Sequence, residues 1–588
     1  MRTSAFIPLS LAVVGWAVYI NSLTNPFVYD DFRLIVENTT LATPGNVQGV
    51  VWHDITRPVV NLSYALDAAI WGLRPLGFHI TNVLLHALNV LLVFACASAL
   101  AQDDRARRRP HGAVDTPRAD LQQPDLAHAD AAHSRLIAVI AALLFAVHPL
   151  LSQAVGYISA RSDLLCATFV LLTFLAARRF LLGGGWPWAV AALAAWLVGL
   201  GAKEVAAMLP LALLAYDVLV LPHRAPARRR AFLHVPLLLI VVSAVAVRVW
   251  VLRQVEYGAG TAFDGVLALV ALDAFRGYLQ LLLWPSAQTI FHALAPILHP
   301  LDLRVVITLA LFGGLIALTW KLRQVSGMLL FGLLWFLLFL IPSSALFVLG
   351  RGEALAEHRV YLASVGVFLT GAALVGLVLD WIGREAKVLR WAVLGVVGVM
   401  ALQLGGRTLL RNAVWADPVA LWRESAQRAP EHWLPHLMLG EALRIRTGCA
   451  AAESEYRLAI QFAPDEIFPY TKLGGCLIER RAYDDAQAVF VALRNMAPTS
   501  AEGPTGLAIV AMAKDSPRYA QAYLREAMVR DPEAVLPRQL MAALEEPRDA
   551  AAALRLCQEI KALAPYTPGN EECIERNRRR VASPASAP

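Results

Sequence analysis

The 588 residues are short of charge, of cysteine and of the motifs that mark soluble enzymes. Asp, Glu, Lys and Arg make up only 16% of the chain, against 57% hydrophobic residues. Soluble domains carry about a quarter charged residues, so the composition is that of a membrane protein. A formal net charge of +7 would suit a nucleic-acid ligand. The basic residues, however, fall in short clusters between apolar runs, the pattern of topology signals. No nucleic-acid partner is expected. Six cysteines are too few for a disulfide framework. Cys96 and Cys166 lie in apolar runs and read as packing residues. Cys449, Cys476, Cys557 and Cys573 lie in the tail, where free buried thiols are the plainer expectation. Antiparallel stacking of helix ends would also let Cys449 and Cys476 bridge in an extracytoplasmic tail. The chain lacks a phosphate-cradling Gly-rich loop, since Gly183-Gly184-Gly185 reads as a turn. It also lacks a Cys/His metal set with ligand spacing and a nucleophilic Ser motif. ATP or nucleotide-sugar chemistry therefore has little support. No small-residue cleavage site follows Phe6–Ile20, so that run is expected to be a retained first span.

What is present is a series of apolar runs near the length a bilayer needs, about 20 residues. Eleven are read as spans, from Phe6–Ile20, His79–Leu100 and Leu136–Leu151 through to Val360–Trp381 and Leu389–Leu404. Basic clusters include Arg105 with Arg107-Arg108-Arg109, Arg178-Arg179, Arg224 with Arg228-Arg229-Arg230, Lys321 with Arg323, and Arg384 with Lys387 and Arg390. All lie on the cytoplasmic side if the N-terminus does. The run Val266–Trp284 would reverse every later cluster if it crossed. Segment 264–286 is therefore expected to be re-entrant or to lie along the surface, with Asp273 and Arg276 partly wet.

After Leu404 the apolar runs end. Prolines recur at Pro430, Pro464, Pro498 and Pro532, each step 34 residues, the tetratricopeptide period. Small and large residues recur in phase: Leu439-Gly440, Ala452 and Tyr456, then Leu473-Gly474, Ala486 and Phe490, then Leu507-Ala508, Ala520 and Leu524. A partial repeat at Asp417–Pro430 and a weaker one at Leu536–Pro565 flank them. The expected fold class is all-α: a polytopic membrane helix bundle of about 11 spans over residues 1–405, with a first outer loop at 21–78. An extracytoplasmic tetratricopeptide-repeat solenoid over 406–581 and a disordered tail at 582–588 follow.

Four charged clusters fall on the outer side of that topology. Asp30 and Asp31 follow the first span. A carboxylate there can take a proton from an acceptor hydroxyl or bind a divalent cation. Neighbouring side chains diverge, so one of the pair would face the reaction while the other orients the loop; a solvated turn is the plainer alternative. The first outer loop is too long for a connector and carries Trp52, Arg57 and Trp71, as an amphipathic helix on the membrane would. The second cluster is His148-Pro149 with Arg161-Ser162-Asp163. Here Arg161 suits a phosphate and Asp163 would hold Arg161 or the acceptor; a helix cap is the structural alternative. Lys203-Glu204 would bind phosphate or form an intramembrane ion pair. Glu357-His358-Arg359 offers a bidentate guanidinium or an interfacial anchor.

In order along the chain these segments resemble the transmembrane-and-tetratricopeptide-repeat group of the C-type glycosyltransferase superfamily, related to protein O-mannosyltransferases. The matching residues are Tyr29-Asp30-Asp31 with Asn38, Arg57-Pro58, Phe78-His79 through Asn82 to His86, His148-Pro149, Arg161-Ser162-Asp163, Lys203-Glu204, Leu283-Trp284-Pro285 and Glu357-His358-Arg359-Val360-Tyr361-Leu362. The resemblance implies a lipid-phosphate-sugar-dependent hexosyltransferase. It would move a monosaccharide from a polyprenyl-phosphate carrier to a protein Ser or Thr on the extracytoplasmic face. Asp30 or Asp31 would be catalytic and would hold the cation if there is one. Arg57, His79, His148, Arg161, Asp163, Lys203, Glu204 and Arg359 are the candidate substrate and lipid-phosphate ligands. The repeats would hold the polypeptide acceptor. Ala- and Arg-rich usage points to a bacterial inner membrane, with site and repeats facing the periplasm. A non-catalytic repeat-bearing scaffold is the alternative.

Overall fold

In the computed structural model, residues 2–42, 45–108, 123–223, 225–251, 265–348, 353–383, 385–565 and 567–582 are described. Arg109, Arg224, Arg384 and tail residues 583–588 lie outside them. The described residues form helices and turns and no strand. That is what lipid requires, because a helix satisfies its own backbone polar groups. Contacts divide the chain into two units: Met1–Ile35 with Pro44–Asp417, and Val36–Thr43 with Pro418–Pro588.

The first unit opens with α1 (Arg2–Val18), two helices of the first loop, α2 (Val47–His53) and α3 (Pro58–Trp71), and the long α4 (Pro75–Arg108). It continues through α5 (Gln123–Val147), the short α6 (Ser152–Gly156), α7 (Arg161–Leu181), α8 (Trp186–Leu200), α9 (Leu209–Leu219) and α10 (Ala227–Val251). It closes with α11 (Gly265–Leu283), α12 (Leu303–Leu322), α13 (Gly327–Val348), α14 (Tyr361–Ile382) and α15 (Lys387–Trp415). Among the described residues, 8 helices are long and apolar enough to cross a membrane, and Phe6–Val18 and Trp186–Leu200 are shorter apolar helices.

Contacts sort the helix ends into two levels. At one, the site end, His79 meets Asn25, Asn412 donates to the Val18 carbonyl, and Thr408 donates to the Val147 carbonyl. At the other, Arg178 grips Asp103, Arg105 reaches Asp380, Arg230 reaches Asp217, and Asp104 accepts from the Gly327 amide. The described basic clusters gather at this second level.

Helix α11 is one of the 8 long apolar helices. Its contacts include residues near the ends of α5, α12 and α14. Val270 packs on Ile297 and Val305. Asp273 accepts from Thr308 at 3.4 Å, Tyr278 donates to the Ala356 carbonyl at 3.0 Å, and His148 meets the Leu282 carbonyl at 2.9 Å. Val305 and Thr308 open α12, Ala356 precedes α14, and His148 follows α5.

The second unit is a stack of antiparallel helices: α16 (Pro418–Arg428), α17 (Trp433–Thr447), α18 (Cys449–Phe462), α19 (Ile467–Glu479), α20 (Tyr483–Met496), α21 (Glu502–Ala513), α22 (Pro517–Arg530), α23 (Val535–Glu545), α24 (Ala550–Leu563) and α25 (Asn570–Ala582). Glycine is required where a pair crosses. A Cβ on Gly440 would lie 2.6 Å from the Tyr456 ring, and one on Gly474 would lie 2.3 Å from Phe490. One expectation is corrected. The four tail cysteines are not free thiols: Cys449 bridges Cys476 across a Cα separation of 5.2 Å, and Cys557 bridges Cys573 across 6.3 Å. The cause is the stacking, which brings the start of α18 to the end of α19 and α24 against α25. Cys96 and Cys166 are free and buried.

Candidate functional site

A backbone kink precedes the two aspartates. Tyr29 has φ of 52°, left-handed for a residue with a side chain, which costs about 1 kcal/mol. Beyond the kink Asp31 turns inward and Asp30 outward. Asp31 is fully buried. Its Oδ1 accepts from the Ser159 amide at 2.8 Å and from the Ser159 hydroxyl, and its Oδ2 accepts from the Val28 amide at 3.1 Å. Burial pushes its carboxyl up to about 7, against the pull of those hydrogen bonds. Asp30 is 41% exposed at its side chain, with Arg33 3.9 Å away. Its amide donates to the Tyr157 hydroxyl at 3.1 Å. One aspartate thus fastens the loop to the turn before α7, and the other keeps an open carboxylate.

The cations divide in the same way. Arg161 is wholly buried. Its Nη2 lies 2.6 Å from Asp67 Oδ2 and donates to the Phe78 carbonyl, and its Nε donates to Asn82. Its guanidinium carbon sits 4.8 Å from the centre of the Tyr64 ring. These four contacts tie α7 to α3 and α4. Asp163 does not hold Arg161: two positions apart on a helix, their side chains diverge. Asp163 instead takes the Lys203 ammonium at 2.7 and 2.8 Å, and both groups are buried. His79 is spent on the Asn25 carbonyl and His148 on the Leu282 carbonyl and Leu150 amide. Glu357, also buried, accepts from the Thr289 amide, His292 and Gln288, and so anchors the segment after Trp284-Pro285.

Two of the candidate cations keep exposed surface. Arg57, 34% exposed, stands 3.7 Å from Glu204, itself 39% exposed. Arg359 is half-buried and donates to the Glu353 carbonyl. Both act on Glu204, and Arg359 acts with Asp30 on Tyr29, so the open groups share one electrostatic neighbourhood. Glu353 belongs to it as well. Burial pushes its carboxyl up to about 7, with Asp30 adding to the rise and Arg359 opposing it. Asp67 and Glu353 escaped the sequence reading. A lone acidic residue on the apolar helix α3 was the available signal for Asp67; Glu353 carries no motif. Among the described residues no three His, Cys, Asp or Glu side chains gather as metal ligands.

No family model matches the chain. A protein O-mannosyl-transferase, Tmtc1 of Drosophila melanogaster, is 29% identical over 208 residues, 33% of this chain and 21% of that protein. The protein O-mannosyl-transferase TMTC4 of Homo sapiens is 33% identical over 183 residues, 28% of this chain and 22% of that protein. The protein O-mannosyl-transferase TMTC1 of Homo sapiens is 24% identical over 534 residues, 79% of this chain. The matches thus span about a fifth of the first two relatives and 56% of the third. By motif order, helical fold, repeats and relatives together, the chain is similar to the transmembrane-and-tetratricopeptide-repeat protein O-mannosyl-transferases.

Proposed function

We propose that this chain is an integral membrane glycosyltransferase that moves a hexosyl group, mannosyl in the first instance, from a polyprenyl-phosphate carrier to a Ser or Thr hydroxyl of a protein. The observation that carries the reading is the open Asp30 carboxylate, on a loop fixed by Asp31, in the same neighbourhood as the half-buried Arg57 and Arg359. The acceptor hydroxyl gives its proton to Asp30 as its oxygen bonds to the anomeric carbon. The bond from that carbon to the phosphate oxygen breaks, and the phosphate leaves with the electron pair. Arg57 and Arg359 stabilise the charge that develops there. Arg161, Lys203 and Asp163 act behind the site, holding α3, α4, α7 and the Lys203 turn.

The site end is read as extracytoplasmic, a bacterial periplasm in our reading. Supporting this, the described basic clusters gather at the opposite end, as cytoplasmic loops do. Two bridged cysteine pairs in the repeats suit an oxidising compartment. The repeats leave the bundle after Trp415, which stacks on Tyr157 at the site end. They would offer their concave face to the acceptor polypeptide.

The test is transfer by purified protein in nanodiscs, with undecaprenyl-phosphate mannose and a Ser/Thr-rich peptide. Wild type should mannosylate the peptide, and Asp30→Asn should not. A wild-type protein that neither binds nor consumes a panel of lipid-linked sugars would instead be a scaffold, and the enzymatic reading would fall.

A further inference from the structure

Asp30 is held by a residue outside the charged motifs. Tyr157 lies between α6 and α7 in extended backbone, and its ring is buried. Its hydroxyl oxygen accepts the Asp30 amide at 3.1 Å. The amide two residues on, that of Ser159, donates to Asp31. The stretch Tyr157-Ile158-Ser159 therefore grips both aspartates, one by backbone amide and one by side chain. The stretch is itself fixed from behind. Asn82 donates to the carbonyls of Val155 and Tyr157, while its own side-chain oxygen takes Arg161 Nε.

The other face of Tyr157 meets α15. Its ring stacks on Trp415 at 5.8 Å with an interplanar angle of 27°, and His358 approaches edge-on at 6.3 Å. Trp415 is the last residue of α15 and is buried. It stands two residues before the first unit ends at Asp417. We propose that Tyr157 is a positioning residue for Asp30, and that Trp415 sets Tyr157, so the helix leading to the repeats is coupled through one stacked ring to the reacting carboxylate. A phenol oxygen can hold a backbone amide only at the height its ring allows. Here the Trp415 indole sets that height. A shift of the end of α15 moves the ring, the ring moves the Asp30 amide, and the kinked loop follows.

The inference rests on Asp30 as the proposed base, so its test has an arm that does not need turnover. Hydrogen exchange is followed by mass spectrometry on the full chain in nanodiscs, in the peptide covering Val28–Phe32. Tyr157→Phe removes the acceptor and should speed exchange there roughly fivefold, the loss of one modest hydrogen bond. Trp415→Ala keeps the phenol but removes the stack and should do the same, while Trp415→Phe restores protection. Unchanged exchange in Tyr157→Phe overturns the positioning role. Faster exchange in Tyr157→Phe with unchanged exchange in Trp415→Ala overturns the coupling. In the mannose-transfer assay, Tyr157→Phe should lower kcat and leave KM for the lipid donor unchanged. Full activity in Asp30→Asn would overturn the base assignment separately, leaving the exchange result standing as a statement about the loop.

Discussion

The membrane bundle and the repeat unit use charge in opposite ways. In the bundle, the closest ion pairs are largely buried: Arg161 with Asp67, Lys203 with Asp163, Arg178 with Asp103. In the repeats they lie on helix surfaces, as with Arg457 and Glu453 four residues apart, where the arginine is 55% exposed. Shape does the work there instead, through glycine against tyrosine or phenylalanine, and through two disulfides. A buried charge without its partner is expensive, whereas an exposed one is hydrated. The bundle therefore spends most of its site-end charges on architecture. The few that remain open are the ones to which the proposed function assigns chemistry.

That contrast can be broken at several points. The largest effect should come from the open carboxylate: Asp30→Asn should lower transfer by about 10²–10⁴, the usual contribution of a general base, with the helical signal and melting temperature unchanged. Arg161→Ala should cost stability instead, about 3–5 kcal/mol, because it strands Asp67 in a buried site. Thermal melting in detergent measures this, and a normal melting curve with lost donor binding would return Arg161 to the phosphate site. Replacing Cys449 and Cys476 by serine should weaken the repeat unit by about 2–4 kcal/mol, measurable as faster proteolysis of that unit. Below this comes pH. The Asp31 carboxyl sits at about 7 in the folded chain against about 3.8 for an unperturbed aspartate. The folded state thus keeps a proton that the unfolded chain loses between those values, and stability falls as pH rises through that window. The melting temperature should drop between about pH 4 and 7, the window set by that shift, and Asp31→Asn should flatten the drop. Arg457→Ala, at the surface of α18, should cost no more than about 0.5 kcal/mol.

Much of the fold could be read from spacing. The 34-residue proline period and the phase of Gly440, Tyr456, Gly474 and Phe490 place the helix pairs without reference to anything outside each repeat. The apolar runs place most bundle helices. Parity among the basic clusters left Val266–Trp284 out of the expected spans, and that segment falls on α11, one of the 8 long apolar helices among the described residues. The candidate site was less legible. Its residues are drawn from the first loop, α4, the turns before α7 and α9, and the segment before α14, and partners are chosen across those gaps. Spacing suggested that Asp163 would hold Arg161. The packing of α3 against α4 and α7 gave Arg161 to Asp67, 94 positions earlier, and left Asp163 for Lys203.

By itself the sequence determined the all-helical membrane bundle, the repeat array that follows it and the clusters from which a site would be built. Hydrophobic run length and a fixed period act within a short stretch of chain, so local spacing is enough to specify them. Only the tertiary structure decided which of two adjacent aspartates turns inward, which cations are consumed by buried partners, and which cysteines meet. Those outcomes depend on desolvation and on side chains far apart in the chain, and neither exists until the helices pack.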